Sequence, residues 1–137
     1  MAVFHLAYTV KDLDSSRNFY GELLGCGEGR STDTWVDYNF FGHQLSLHLG
    51  DAVTPCETLS KVDGISVPMP HFGCVLEWQE FQLLAEKITS EAVDFVIEPH
   101  LRFARLPGEQ VTMFIQDPSG NAIEFKAYRN TDEVFKS

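Results

Sequence analysis

The sequence is poor in cysteine. Its 3 cysteines, Cys26, Cys56 and Cys74, are an odd number without CxxC spacing, which excludes a disulfide-stapled scaffold and a paired-cysteine zinc site. They read as free thiols in a reducing compartment, so the expected location is the cytoplasm. Basic residues are scarce too: 10 Lys and Arg stand against 20 Asp and Glu, a formal charge of −10. That balance argues against nonspecific binding to nucleic acid or to an anionic membrane, both of which reward positive surface. No stretch approaches the about 20 apolar residues needed to span a bilayer. The opening MAVFHLAYTVKDLD has no basic start, apolar core and small-residue cleavage site of a secretory leader. No phosphate-cradling glycine loop, nucleophile elbow or zinc-finger spacing occurs.

What is present suits one globular domain. A chain of 137 residues with 44% hydrophobic and 22% charged content is long enough to bury a core. Its 11 phenylalanines are many for that length, and point to a core or pocket wall built from flat rings.

Val3 to Val10 reads as a strand interrupted by a histidine. Asp12 or Asp14 then caps a helix whose apolar face carries Leu13, Phe19, Tyr20, Leu23 and Leu24, stopped at Gly25. Strands are expected over 34–40 and 43–49, joined by a turn at Phe41-Gly42. Residues 51–69 are rich in Gly, Asp, Pro, Thr and Ser and read as a linker with at most a short helical turn. The pattern then restarts: a strand over 70–76 with His71 near its start, a helix over 79–90, and strands over 93–97, 101–106, 111–116 and 122–128. Asp117-Pro118-Ser119-Gly120 is a strong turn signal. The order is an internal duplication at the level of pattern. The fold class expected is α+β, with two βαβββ modules forming a curved, partly open mixed barrel. Residues 1–137 form one domain in this reading, with module 1 over about 2–50, module 2 over about 70–128 and a tail over 129–137.

A lone histidine in an apolar strand is more often structural than a ligand. Two at matched positions, His5 and His71, with a carboxylate on the last strand, make a different case. Placing Gly42 over Gly120 sets Ser46 at the point equivalent to Glu124. Ile123 and Phe125 belong under the helices, which sends Glu124 to the other face with the histidines. His5, His71 and Glu124 form a two-imidazole, one-carboxylate set for a divalent metal with positions left open.

"FHLAYTVKDLDSSRNFYGELLG", "HFG" and "DPSGNAIEF" together resemble the vicinal-oxygen-chelate superfamily, which includes glyoxalase I, fosfomycin-resistance enzymes and extradiol dioxygenases. The combination of "FFGHQLSLHL", "VPMPHFG" and "DPSGNAIEFKAY" is most similar to a short branch of predicted extradiol-dioxygenase-like proteins. The resemblance carries His5, His71 and Glu124 over as metal ligands, and implies a homodimer. It implies a small substrate chelated through neighbouring oxygens. Glyoxalase I adds a glutamate ligand where this chain has Ser46; His48, two residues on, is a displaced fourth ligand or, by preference, an acid–base group.

The first expectation is therefore an extradiol-type oxygenase using Fe(II). The second is an isomerase, lyase or epimerase of glyoxalase type, with Mn, Zn, Ni or Co. The third is a binding protein without chemistry. Arg102 and Arg105 are candidates for an acidic group of the substrate, His100 follows Glu98-Pro99 and reads first as a loop residue outside the site, and Cys74 is expected to be buried and inert.

Overall fold

The computed structural model describes residues 1–51, 54–62 and 64–137. They form two compact units, Met1–Thr54 with Asp117–Asn121, and Pro55–Gln116 with Ala122–Ser137.

The first unit holds β1 (His5–Val10), α1 (Leu13–Ser16) continued by π turns over Arg17–Leu23, β2 (Gly27–Ser31), β3 (Trp35–Phe40) and β4 (His43–Leu49). Asp12 caps α1 by accepting from the Ser15 amide at 2.7 Å. The wider turns show in the 3.0 Å bond from the Leu24 amide to the Phe19 carbonyl, and Gly25, at φ 72°, ends the helix as the sequence predicts. Phe41 and Gly42 are both left-handed, at φ 50° and 93°, the turn form that matches strand twist in a tight hairpin. The sheet order is β1-β4-β3-β2, with β1 parallel to β4 and the other pairs antiparallel. Val36, Tyr38, Phe40, Leu45 and Leu47 alternate onto one face and are buried with Phe19, Tyr20 and Leu23.

The turn Asp117–Asn121 belongs to this unit. Buried Asp117 accepts from Tyr20 Oη at 2.8 Å, from the Ser119 and Asn121 amides at 2.9 Å, and from Asn121 Nδ2 at 2.9 Å. Asn121 Nδ2 also reaches the Thr9 carbonyl at 3.0 Å. The sequence reading of Asp117 as turn chemistry is the one observed.

The second unit holds β5 (Cys56–Val62), β6 (Ile65–Met69), β7 (His71–Val75), α2 (Trp78–Ser90), β8 (Ile97–Arg102), β9 (Gln110–Gln116) and β10 (Ala122–Tyr128). Its main sheet runs β7-β10-β9-β8, with β7 parallel to β10. The two units thus repeat one βαβββ topology. Phe81, Leu84 and Ile88 recur on one side of α2 and are buried, as are Ile123 and Phe125 of β10, which α2 packs against. Each such side chain contributes about 2 kcal/mol by leaving water.

Four expectations need correction. The segment 51–69, read as a linker without strands, holds the antiparallel pair β5–β6; Gly64 at φ 76° supplies the reversal, and no residue-type contrast marked the strands. The strand β2 was missed because GEGRS has no apolar residue and is exposed throughout. The strands expected over 93–97 and 101–106 are a single strand, Ile97–Arg102. Left-handed Ala92 ends the preceding helix, and left-handed Phe103 and Arg105 end the strand. Cys74 is half-buried rather than buried.

Candidate metal and substrate site

The strand registers test the internal alignment directly. In the first unit His5 lies opposite Gln44, and Ala7 opposite Ser46. In the second, His71 lies opposite Ala122, and Gly73 opposite Glu124. Ser46 and Glu124 therefore occupy equivalent places, each opposite the residue two beyond a histidine. His48 and Lys126 are equivalent by the same count, opposite Trp35 and Thr112.

In the second unit His71 and Glu124 meet. His71 Nε2 stands 3.1 Å from Glu124 Oε2, and both side chains are mostly covered. His71 Nδ1 lies 2.7 Å from the Pro68 carbonyl. A carbonyl oxygen only accepts, so Nδ1 carries a proton and Nε2 is the nitrogen aimed at the carboxylate. The Glu124 Oε1 atom accepts from Thr112 Oγ1 at 2.7 Å and lies 3.5 Å from Lys126 Nζ. Phe114 closes edge-on against the His71 ring, with centroids 5.0 Å apart.

The electrostatics follow from these contacts. The hydrogen bond to Glu124 raises the His71 pKa, against the opposing effect of burial. Burial pushes the Glu124 carboxyl up, but the bonds from His71 and Thr112 and the charge of Lys126 together hold it below the ordinary range. Both directions favour an ion pair. Gly73 is what lets the strands come together: a Cβ there would overlap the Glu124 carbonyl. Glycine in "HFG" thus has a steric reason.

In the first unit His5 is exposed, and its Nδ1 lies 2.9 Å from Gln44 Oε1. Gln44 Nε2 donates to Asp37 Oδ2 at 3.3 Å, and Ser46 Oγ donates to Asp37 Oδ1. Each histidine therefore has Nδ1 held by an oxygen acceptor, which leaves Nε2 as the nitrogen for a ligand. This is the support that metal-binding histidines ordinarily receive. Asp37 and Gln44 were missed at the sequence level. The signal was there in the alternation: Val36, Tyr38 and Phe40 face the core, so Asp37 must face the other way. The donor set, an imidazole Nε2 beside a carboxylate oxygen, fits two ligands of a divalent ion once the proton between them is displaced. Among the described residues, no three His, Cys, Asp or Glu side chains stand together at metal-binding spacing.

A cavity of about 190 Å³ opens on this pair, lined by His71, Glu124, Lys126, Thr112, Phe114, His100 and Arg102 together with Ile65, Val67 and Ile97. His100, placed by the sequence in a loop, is a residue of β8 opposite Thr112. Arg102 lines the cavity. Arg105 does not line it: it is exposed, left-handed and bonded through its amide to Glu109. His48 is exposed, its ring 6.2 Å from that of Trp35. It stands four residues along β4 from the position opposite His5, about 13 Å at strand spacing.

Solved structures share this fold. One described as a glyoxalase/bleomycin resistance protein/dioxygenase from Alicyclobacillus acidocaldarius is 31% identical, with 98% of this chain and 96% of that chain covered and a TM-score of 0.80. A genomically encoded fosfomycin resistance protein from Listeria monocytogenes is 17% identical over 97% of each chain, at a TM-score of 0.71. A lactoylglutathione lyase from Agrobacterium tumefaciens is 16% identical over 92% of each chain, at 0.63. No curated protein matches the chain. The duplicated βαβββ topology, the paired histidine and glutamate, and a family match across residues 2–125 lead to one assignment: the chain belongs to the Glyoxalase/Bleomycin resistance protein/Dioxygenase superfamily.

Proposed function

We propose that this protein is a divalent-metal enzyme acting on a small substrate that chelates through neighbouring oxygens, with ferrous, extradiol-type oxygenation as its reaction. The observation that carries the metal reading is the tautomer locking of both histidines, through Pro68 for His71 and Gln44 for His5. His71 and Glu124 supply two ligands and His5 the third. A bound ion supplies Lewis-acid activation and a template for the substrate's oxygens. Thr112 and Lys126 keep Glu124 ionised and oriented, and Phe114 shields the pair from water. The free thiols suit a cytoplasmic enzyme, and the family pattern suits a homodimer. A glyoxalase-type isomerase or lyase is the second reading, favoured by the proton-carrying groups of Lys126 and His100 beside Glu124 in the same cavity.

Metal content of the full chain, purified without oxygen, is the test, with His71→Ala alongside. About one iron per chain in the wild type, lost in the variant, supports the oxygenase and is followed by oxygen uptake with catechols. Tight zinc, nickel or manganese transfers the assignment to the isomerase or lyase. No metal in the wild type, even after reconstitution, overturns the metal reading and leaves a small-molecule binder.

A further inference from the structure

The hairpin between the two repeated modules does more than join them. β5 and β6 pair with each other, and among the described residues neither is hydrogen-bonded into the sheet β7-β10-β9-β8. A two-stranded ribbon is marginally stable by itself, so this one relies on what it packs against. Ile65 and Val67, two residues apart and therefore on one face of β6, line the cavity of about 190 Å³ that holds His71 and Glu124. Both are half-buried. The next residue, Pro68, supplies the carbonyl that accepts from His71 Nδ1 at 2.7 Å. One strand thus carries an apolar wall and the lock on the histidine. Within the main sheet, Glu124 lies opposite Phe114, and Phe114 opposite Ile97, so a second apolar wall runs outward from the ligand pair. Supporting that pair requires the Pro68 carbonyl but gives no reason for Ile65 and Val67 to line the same cavity.

We propose that the β5–β6 hairpin is the cover of this site, and that Ile65 and Val67 determine what fits beneath it: a single flat ring with its neighbouring oxygens is admitted, and added bulk on the ring is turned away. The proposal rests on the metal reading above and names the size class of substrate for that site. A dry cavity of about 150 Å³ takes one benzene ring, so the 190 Å³ here holds one ring, two oxygens and little else. With the oxygens turned to His71 and Glu124, the ring is walled by Phe114 and Ile97 of the sheet and by Ile65 and Val67 of the hairpin. Because β6 is not bonded into the main sheet, lifting it to admit a ring breaks none of that sheet's strand pairs. Closing it completes the burial of two half-buried apolar side chains. Both are β-branched and stiff, which suits a size filter better than a pliable side chain would.

The experiment compares catechol with 4-tert-butylcatechol, which adds only apolar bulk, by calorimetric titration of the full chain loaded with Mn(II), without oxygen. Wild type is expected to bind catechol about tenfold or more tightly than the larger ring, the scale of an overfilled cavity. In Ile65→Ala and in Val67→Ala the larger ring gains about fivefold or more, while catechol stays within about threefold of wild type. A gain of this kind cannot come from misfolding. Equal or tighter binding of 4-tert-butylcatechol by wild type, or no gain in either Ala variant, overturns the cover. Where the chain takes up no metal, or binds neither compound when loaded, NMR of the Ile and Val methyl groups in the metal-free chain separates the two claims. Catechol shifts confined to Ile65, Val67 and Ile97 keep the hairpin as the cover while the chelation reading falls; no shift at Ile65 or Val67 overturns both.

Discussion

At the scale of single residues, the proposed metal site depends on what stands behind each histidine. His5 is exposed, and its orientation comes from Gln44, itself held by Asp37. Gln44→Leu is therefore expected to weaken metal binding by about 10- to 100-fold, the usual effect of removing such a support. Gln44→Glu, which keeps an acceptor, recovers most of the loss. Competition against a chromogenic chelator measures this, and an unaltered affinity in Gln44→Leu would show that the Gln44 contact is incidental. The meeting of His71 with Glu124 was legible in the sequence because the duplicated pattern matches His5 with His71 and Ser46 with Glu124. Pro68 and Thr112 were not legible, since a backbone carbonyl or a hydroxyl in a strand carries no distinctive signature. His100 was misplaced for a related reason: Pro99 next to it suggested a loop, whereas an edge strand tolerates proline.

At the scale of elements, the turn Asp117–Asn121 shows how one carboxylate organises a segment. Its two oxygens accept four hydrogen bonds, one of them from the buried Tyr20 hydroxyl. Asp117→Ala leaves that hydroxyl and two turn amides without their acceptor, at a cost of about 3 kcal/mol. Tyr20→Phe in the same background recovers part of it, because the stranded hydroxyl is gone. Urea denaturation of Asp117→Ala, Tyr20→Phe and the double variant checks this; strictly additive losses would show that the two residues are not coupled. Elements with strong internal patterning were read to within a residue or two, as with α2 and β10. Those shaped by position alone were not. The strand β2 is an exposed edge with nothing apolar to bury, and β5–β6 pair within a stretch whose composition suggests loop.

At the scale of the whole molecule, the two units differ in how they meet alkali. Burial pushes the Cys26 thiol up to about 11 and the Tyr38 hydroxyl up to about 12. Burial, then the neighbouring Asp117, raises Tyr20 well above its ordinary 10.0. All three are in the first unit. Each group holds its proton more firmly when folded, so its contribution is complete below the unfolded value and is lost as pH rises through the folded one. Stability of the first unit is thus expected to decline from about pH 9, where an unfolded cysteine begins to ionise, on through pH 12. One tryptophan reports on each unit, Trp35 on the first and Trp78 on the second. With Trp78→Phe and Trp35→Phe variants, the alkaline fluorescence transition should come earlier for Trp35. Coincident transitions would mean that the units unfold together. The first unit is also discontinuous in the chain, since it includes the turn Asp117–Asn121. During synthesis, the ribosome releases Tyr20 and its neighbours long before their acceptor exists. At about 5 to 20 residues per second, the wait from Thr54 to Asn121 is roughly 3 to 13 s. Over that interval the nascent first module carries a hydroxyl that cannot yet be buried with its partner, and a chaperone has time to find it.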